Sequence, residues 1–73
     1  LESAAIVDLF LSYRAVRGWQ EMIDLERKMP KPLAATVLVQ EQLALALNRA
    51  GRSDEAESVL QRLLNKRGAS SET

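Results

Sequence analysis

In the second half of this chain Leu43, Ala44, Leu47, Gly51, Ala56, Leu60 and Leu63 recur at helical spacing, across two stretches divided by the segment NRAGRSD. No other feature restricts the fold as much. Apolar positions three and four residues apart put one stripe on each of two helices. Ala44 and Ala56 are small enough to let those helices approach closely in antiparallel fashion. Gly51 supplies the residue that a tight reversal between them needs. A helical pair of this kind covers only part of its own apolar surface and completes its core by stacking on neighbours.

At 73 residues the chain is at most one small domain, with room for about four helices. Its ten basic and ten acidic side chains cancel, so no net field draws it toward nucleic acid or an anionic membrane. It contains neither Cys nor His, which removes disulfides, thiol nucleophiles, zinc-finger ligands and the usual proton shuttle together. No apolar run reaches membrane-spanning length, and the N-terminus lacks the layout of a secretory signal. A cytoplasmic location is the default expectation. The opening Leu1 and the closing SSET, which resembles a helix cap, read as the edges of a piece from a longer helical array.

Four helical segments are expected. The first runs from about Ser3 to Val16, with Ile6, Leu9, Phe10, Tyr13 and Val16 forming its stripe, and Gly18 breaks it. The second covers roughly Trp19 to Lys28 and ends at MPKP. Pro32 suits the first turn of a third helix, where its missing N–H costs nothing. That helix is expected to continue to about Ala50 and, being apolar nearly all round, to lie centrally. The fourth has Ser53 as its expected N-cap and a stripe of Ala56, Val59, Leu60, Leu63 and Leu64. Charges agree with these boundaries. Acids such as Glu21, Asp54 and Glu55 come early in segments, and bases such as Arg14, Arg27, Lys28, Arg49 and Lys66 come late, as helix dipoles favour.

A displacement of 34 residues lays Leu9 on Leu43, Phe10 on Ala44, Tyr13 on Leu47, Trp19 on Ser53 and Met22 on Ala56. That is the period of the tetratricopeptide repeat (TPR). The segment LALALNRAGRSDEAESVLQRLL resembles one such repeat along its full length. Residues 3–36 are then a degenerate first repeat, 37–70 a well-matched second, and 71–73 the start of a further helix. Phe10 and Met22 are large where close packing favours small side chains, Glu26 stands where a large apolar residue is expected, and Gln40 takes the usual Trp position. The stretch LFLSYRAVRGWQEMIDLERKMP, together with LALALNRAG, also resembles the TRAF-binding region of apoptosis signal-regulating MAP kinase kinase kinases and similar bacterial proteins. These resemblances imply an all-α fold of antiparallel hairpins stacked as a right-handed superhelix, acting as a scaffold in signalling. They carry over no kinase activity, because the chain has neither a glycine-rich phosphate loop nor a catalytic loop.

In a TPR array the first helix of each pair lines a concave groove. By position that groove is formed here by Val7, Leu11 and Arg14 from the first unit and Glu41, Leu45, Asn48 and Arg49 from the second. An apolar floor of Val7, Leu11 and Leu45 with a polar rim of Arg14, Glu41, Asn48 and Arg49 could take a partner segment with apolar anchors and a carboxylate or carbonyl for Arg to grip. The same apolar residues would equally serve to pack a neighbouring repeat or a second copy. The chaperone-type clamp for a C-terminal carboxylate is not supported, since Val7, Leu11, Glu41 and Leu45 hold its positions. Trp19 and Tyr13 are expected in the core at the first turn, with aromatic anchors on an exposed surface as the alternative. The basic cluster of Arg27, Lys28 and Lys31 is explained by helix-end charge.

Glu21 with Asp24, or Glu55 with Glu57, sit in polar early-helix positions with no second ligand set. No enzyme, cofactor or metal is expected. The leading functional reading is a protein-interaction module. A structural spacer or oligomerising element, including a homodimer, is the alternative, and a helix-turn-helix nucleic-acid binder is disfavoured by dispersed bases and zero net charge.

Overall fold

The computed structural model describes residues 2–71, with side chains described as far as Lys66. It is all-helical: α1 spans Ser3–Ala15, α2 Trp19–Lys28, α3 Lys31–Ala34, α4 Val37–Arg49 and α5 Ser53–Ser71. The further helix expected at 71–73 lies outside the described residues, apart from Ser71, which closes α5.

Among the described residues five helices form where four were expected, because the long third segment divides at Ala35 and Thr36. Thr36 has extended backbone, φ −66° and ψ 150°, and acts as N-cap of α4, its hydroxyl oxygen accepting from the Val39 N–H at 3.5 Å. The same hydroxyl donates to the Leu33 carbonyl at 2.8 Å, and the Gln40 side-chain amide donates to the Ala34 carbonyl at 2.7 Å. Side-chain groups thus take over backbone groups that a continuous helix would have paired. A second correction concerns the start of α5. The Ala56 N–H bonds to the Arg52 carbonyl at 3.0 Å, so Arg52 holds the cap position expected for Ser53, and Ser53 is the first helical residue.

The backbone repeats itself at the 34-residue displacement. α1 and α4 are each 13 residues long and begin at Ser3 and Val37. α2 and α5 begin at Trp19 and Ser53. The turns correspond as well. Gly18 N–H bonds to the Tyr13 carbonyl at 2.7 Å, and Arg52 N–H to the Leu47 carbonyl at 2.8 Å. Both are the wide closing bond of a helix that ends in a left-handed residue. Those residues are Gly51, at φ 82°, and Arg17, at φ 60°.

Packing follows chain order. α1 lies on α2, α2 on α4, and α4 on α5 in the most extensive contact, with α3 against the start of α4. The molecule is a slab of 37 × 30 × 18 Å, its thin dimension close to two helix diameters at ~10 Å each. α4 is the hub, burying Val39, Leu43, Ala44, Ala46 and Leu47. Phe10, Met22, Ile23, Met29, Ala56 and Val59 complete the core, and Tyr13 and Trp19 pack against it half-buried.

Two expected stripes are only partly used. Leu9 is 44% exposed and Val16 75%, while Leu60 and Leu64 on α5 are 48% and 62% exposed. The cause is position: α1 packs mainly on α2 and α5 mainly on α4, so the flank of each outer stripe that faces away from those helices meets solvent. Val16 in addition lies past the end of α1.

Candidate functional site

The side of the slab formed by α1 and α4 gathers most of the residues singled out by the repeat register. The two helices are joined by a hydrogen bond from Arg14 Nη1 to Gln42 Oε1 at 2.8 Å. Arg14 and Arg49 occupy the last turns of α1 and α4, where the helix dipoles favour cations. Both end at the same edge of the slab, beside the α1–α2 turn.

At that edge lies an open hollow of about 440 Å³ lined by Arg14, Ala15, Arg17, Trp19, Leu45 and Arg49. A second hollow of about 390 Å³ opens between α4 and α5, with Glu41, Leu45, Asn48 and Leu60 among its walls. Leu45 is half-buried and is shared by both, which makes it the ridge between them. Five of the expected groove residues, Arg14, Glu41, Leu45, Asn48 and Arg49, therefore border one or other of these two connected depressions. Val7 and Leu11 line neither. Both are half-buried on α1, and Leu11 packs against the core.

Two side chains enter the first hollow that sequence spacing did not single out as binding residues. Arg17 reads in sequence as ordinary helix-end charge, but its left-handed backbone places it in the turn, past the end of α1. Trp19 is expected as core, and it does pack against the core, yet one part of it remains on the wall of the hollow. The signal that would have pointed to Arg17 is the repeat register, which sets it on Gly51.

The electrostatics of the first hollow are one-sided: three arginines and, among the described residues, no acidic side chain line its walls. The opposite, α2–α5 side differs. Its groove of about 310 Å³ carries Lys31, Arg62 and Lys66 but includes Glu26. Among the described residues there is no group of three His, Cys, Asp or Glu side chains able to hold a metal ion, and no helix long and apolar enough to cross a membrane. The α1–α4 side offers an apolar ridge, a basic recess and a mixed recess, and can hold a polypeptide segment by contact and charge.

A family model described as the MAP3K TRAFs-binding domain matches residues 1–72. No curated protein and no solved structure matches the chain.

Proposed function

The chain belongs to the family of MAP3K TRAFs-binding domains, and from that membership we propose that it is a protein-interaction module whose partner lies along the α1–α4 side. The family is an interaction module rather than a catalytic domain, and the match along nearly the whole chain is the observation that carries the reading. The partner class that the family description supplies is a TRAF protein. In this reading the unit works without enzyme activity, cofactor, nucleic acid or membrane, in the cytoplasm.

We further read the fold as two TPR-like units, residues 3–36 and 37–70, stacked as the start of a right-handed superhelix. The support is the 34-residue displacement of helix starts, helix lengths and left-handed turn residues. The α1–α4 side is then the concave face, with Leu45 as apolar anchor and Arg14 and Arg49 orienting the bound segment. A second reading is favoured by Leu38, Leu60 and Leu64, large apolar side chains of α4 and α5 that are exposed. These would pack a neighbouring repeat or a second copy, making the chain a spacer or homodimer.

Titration of a purified TRAF protein by calorimetry tests the proposal, using the wild-type chain and a Leu45→Glu, Arg49→Glu variant shown by circular dichroism to stay helical. The variant is expected to bind at least about tenfold more weakly, the loss of ~1.4 kcal/mol or more. Equal affinity of the two chains would move binding off the α1–α4 side. Sedimentation of the same samples separates the readings, because the homodimer reading requires a concentration-dependent mass for the chain alone.

A further inference from the structure

The hollow at the common end of α1 and α4 brings together Arg14, Arg17 and Arg49 and, among the described residues, no acidic wall residue. Arg52 Nε, by contrast, lies 3.2 Å from Glu55 Oε1. Arg14 is instead held by the neutral Gln42, its guanidinium donating to the amide oxygen rather than to a carboxylate. The chain as a whole has zero net charge, so this recess is a local positive focus and not one part of a generally basic surface.

Helix dipoles account for Arg14 and Arg49. They also favour the charge of Arg17, but do not account for its backbone. It stands in the left-handed region at φ 60°, where Gly51 serves the corresponding turn at φ 82°. A side chain at such a position is disfavoured. Backbone strain of this sort is retained where the side chain has a use, and it gathers at binding sites. Beside the guanidinium groups, half-buried Trp19 and Leu45 give apolar surface on which the methylene groups of an acidic side chain can rest.

We propose that this hollow binds the carboxylates of an acidic protein segment, the part of the partner that carries at least two Asp or Glu side chains. The inference rests on the α1–α4 side being the docking side, and it states the chemistry that side selects. Guanidinium forks match carboxylates in paired hydrogen bonds. A recess of about 440 Å³ lined by three arginines, two from the end of α1 and its turn and one from α4, suits several carboxylates on a run of chain more than a single anion.

Trp19 is the sole tryptophan and lines the hollow, so its emission reports occupancy directly. The chain is titrated at low salt with hexaglutamate, with hexaglutamine, and with a glutamine peptide carrying one phosphoserine. A saturable change with hexaglutamate, absent with hexaglutamine and lost at high salt, is expected. An Arg17→Gln, Arg49→Gln variant should weaken it by about tenfold or more. An Arg62→Gln, Lys66→Gln variant removes the same charge from the α2–α5 side and should leave it within about twofold. Equal weakening by both variants overturns the site, and a response to the phosphoserine peptide alone overturns the carboxylate as ligand. Silence of hexaglutamate while TRAF binding still depends on Leu45 and Arg49 ends this inference and leaves the docking side standing. Loss of both ends the two together.

Discussion

The hairpin of residues 3–28 and the hairpin that begins at residue 37 share a backbone plan and differ in what fills it. Their first helices are equal in length, their second helices start 34 residues apart, and both turns close through a left-handed residue. The interior positions do not match. Phe10 and Met22, both fully buried, stand where the second hairpin has Ala44 and Ala56, both 4% exposed. Two large side chains hold α1 and α2 apart and supply most of the apolar volume there. Two alanines let α4 and α5 pack closely, and α4 then buries its larger residues against α2 on its other flank. Caps and turns thus set the register of the repeat, while interior volume sets how each pair of helices is spaced.

The largest way to break the comparison is Phe10→Ala, which would give the first hairpin the small residue of the second. Helices spaced for Phe10 cannot close on an alanine without also moving α2 off α4, so a cavity remains. The expected cost is about 3–5 kcal/mol, read as a fall in the urea midpoint at unchanged slope. A cost under about 1 kcal/mol would show that the first hairpin can collapse to the spacing of the second.

The converse change is Ala44→Phe with Ala56→Met. It lends the second hairpin the residues of the first, in a place where α4 is held from both sides. Overpacking should cost about 1–3 kcal/mol. Because helix–helix separation is what resists, Ala44→Ser, which adds one atom, is expected to sit well below that range. A double variant as stable as the parent would mean that α5 swings freely on its turn.

Gly51→Ala probes the turn itself. A Cβ at Gly51 meets nothing within 4 Å, so any loss comes from its φ of 82° alone. The left-handed side chain costs about 1–2 kcal/mol and the reduced freedom of the unfolded chain offsets about 0.5–1, so the expected net destabilisation is about 0.5–1 kcal/mol, measured by thermal melting. An unchanged melt would show that the turn can relax to a right-handed conformation while keeping the Arg52-to-Leu47 bond.

Most of the helical plan was legible because its boundaries are written in strong local signals. Gly18, the MPKP segment and Gly51 each stop a helix by backbone chemistry that depends little on the rest of the fold. The break at Thr36 was not, because LAATVLV is apolar on all faces and Thr36 caps without an acidic partner three residues on. The partial use of the outer stripes was hidden for a different reason. Periodicity shows which face of a helix is apolar, but only the packing shows that α1 and α5 each have one principal neighbour. Of the site, Arg14, Leu45 and Arg49 could be placed from the repeat register. Arg17 and Trp19 joined them only through the shape of the first turn.

The smallest change sharpens the comparison furthest. Arg17→Gly makes the first turn chemically like the second. Relief of the left-handed side chain is worth about 1–2 kcal/mol, and the added freedom of glycine in the unfolded chain takes back about 0.5–1. A net gain of about 0.5–1 kcal/mol follows, which for a chain of this size raises the melting temperature by about 2–8 °C. The same variant removes one of the three guanidinium groups from the recess, so hexaglutamate affinity should fall as stability rises. Opposite signs are the signature of a turn residue kept for its side chain at the expense of the fold. A lower melting temperature would instead make Arg17 a structural element of the turn, whose stem packs well enough to outweigh its backbone strain.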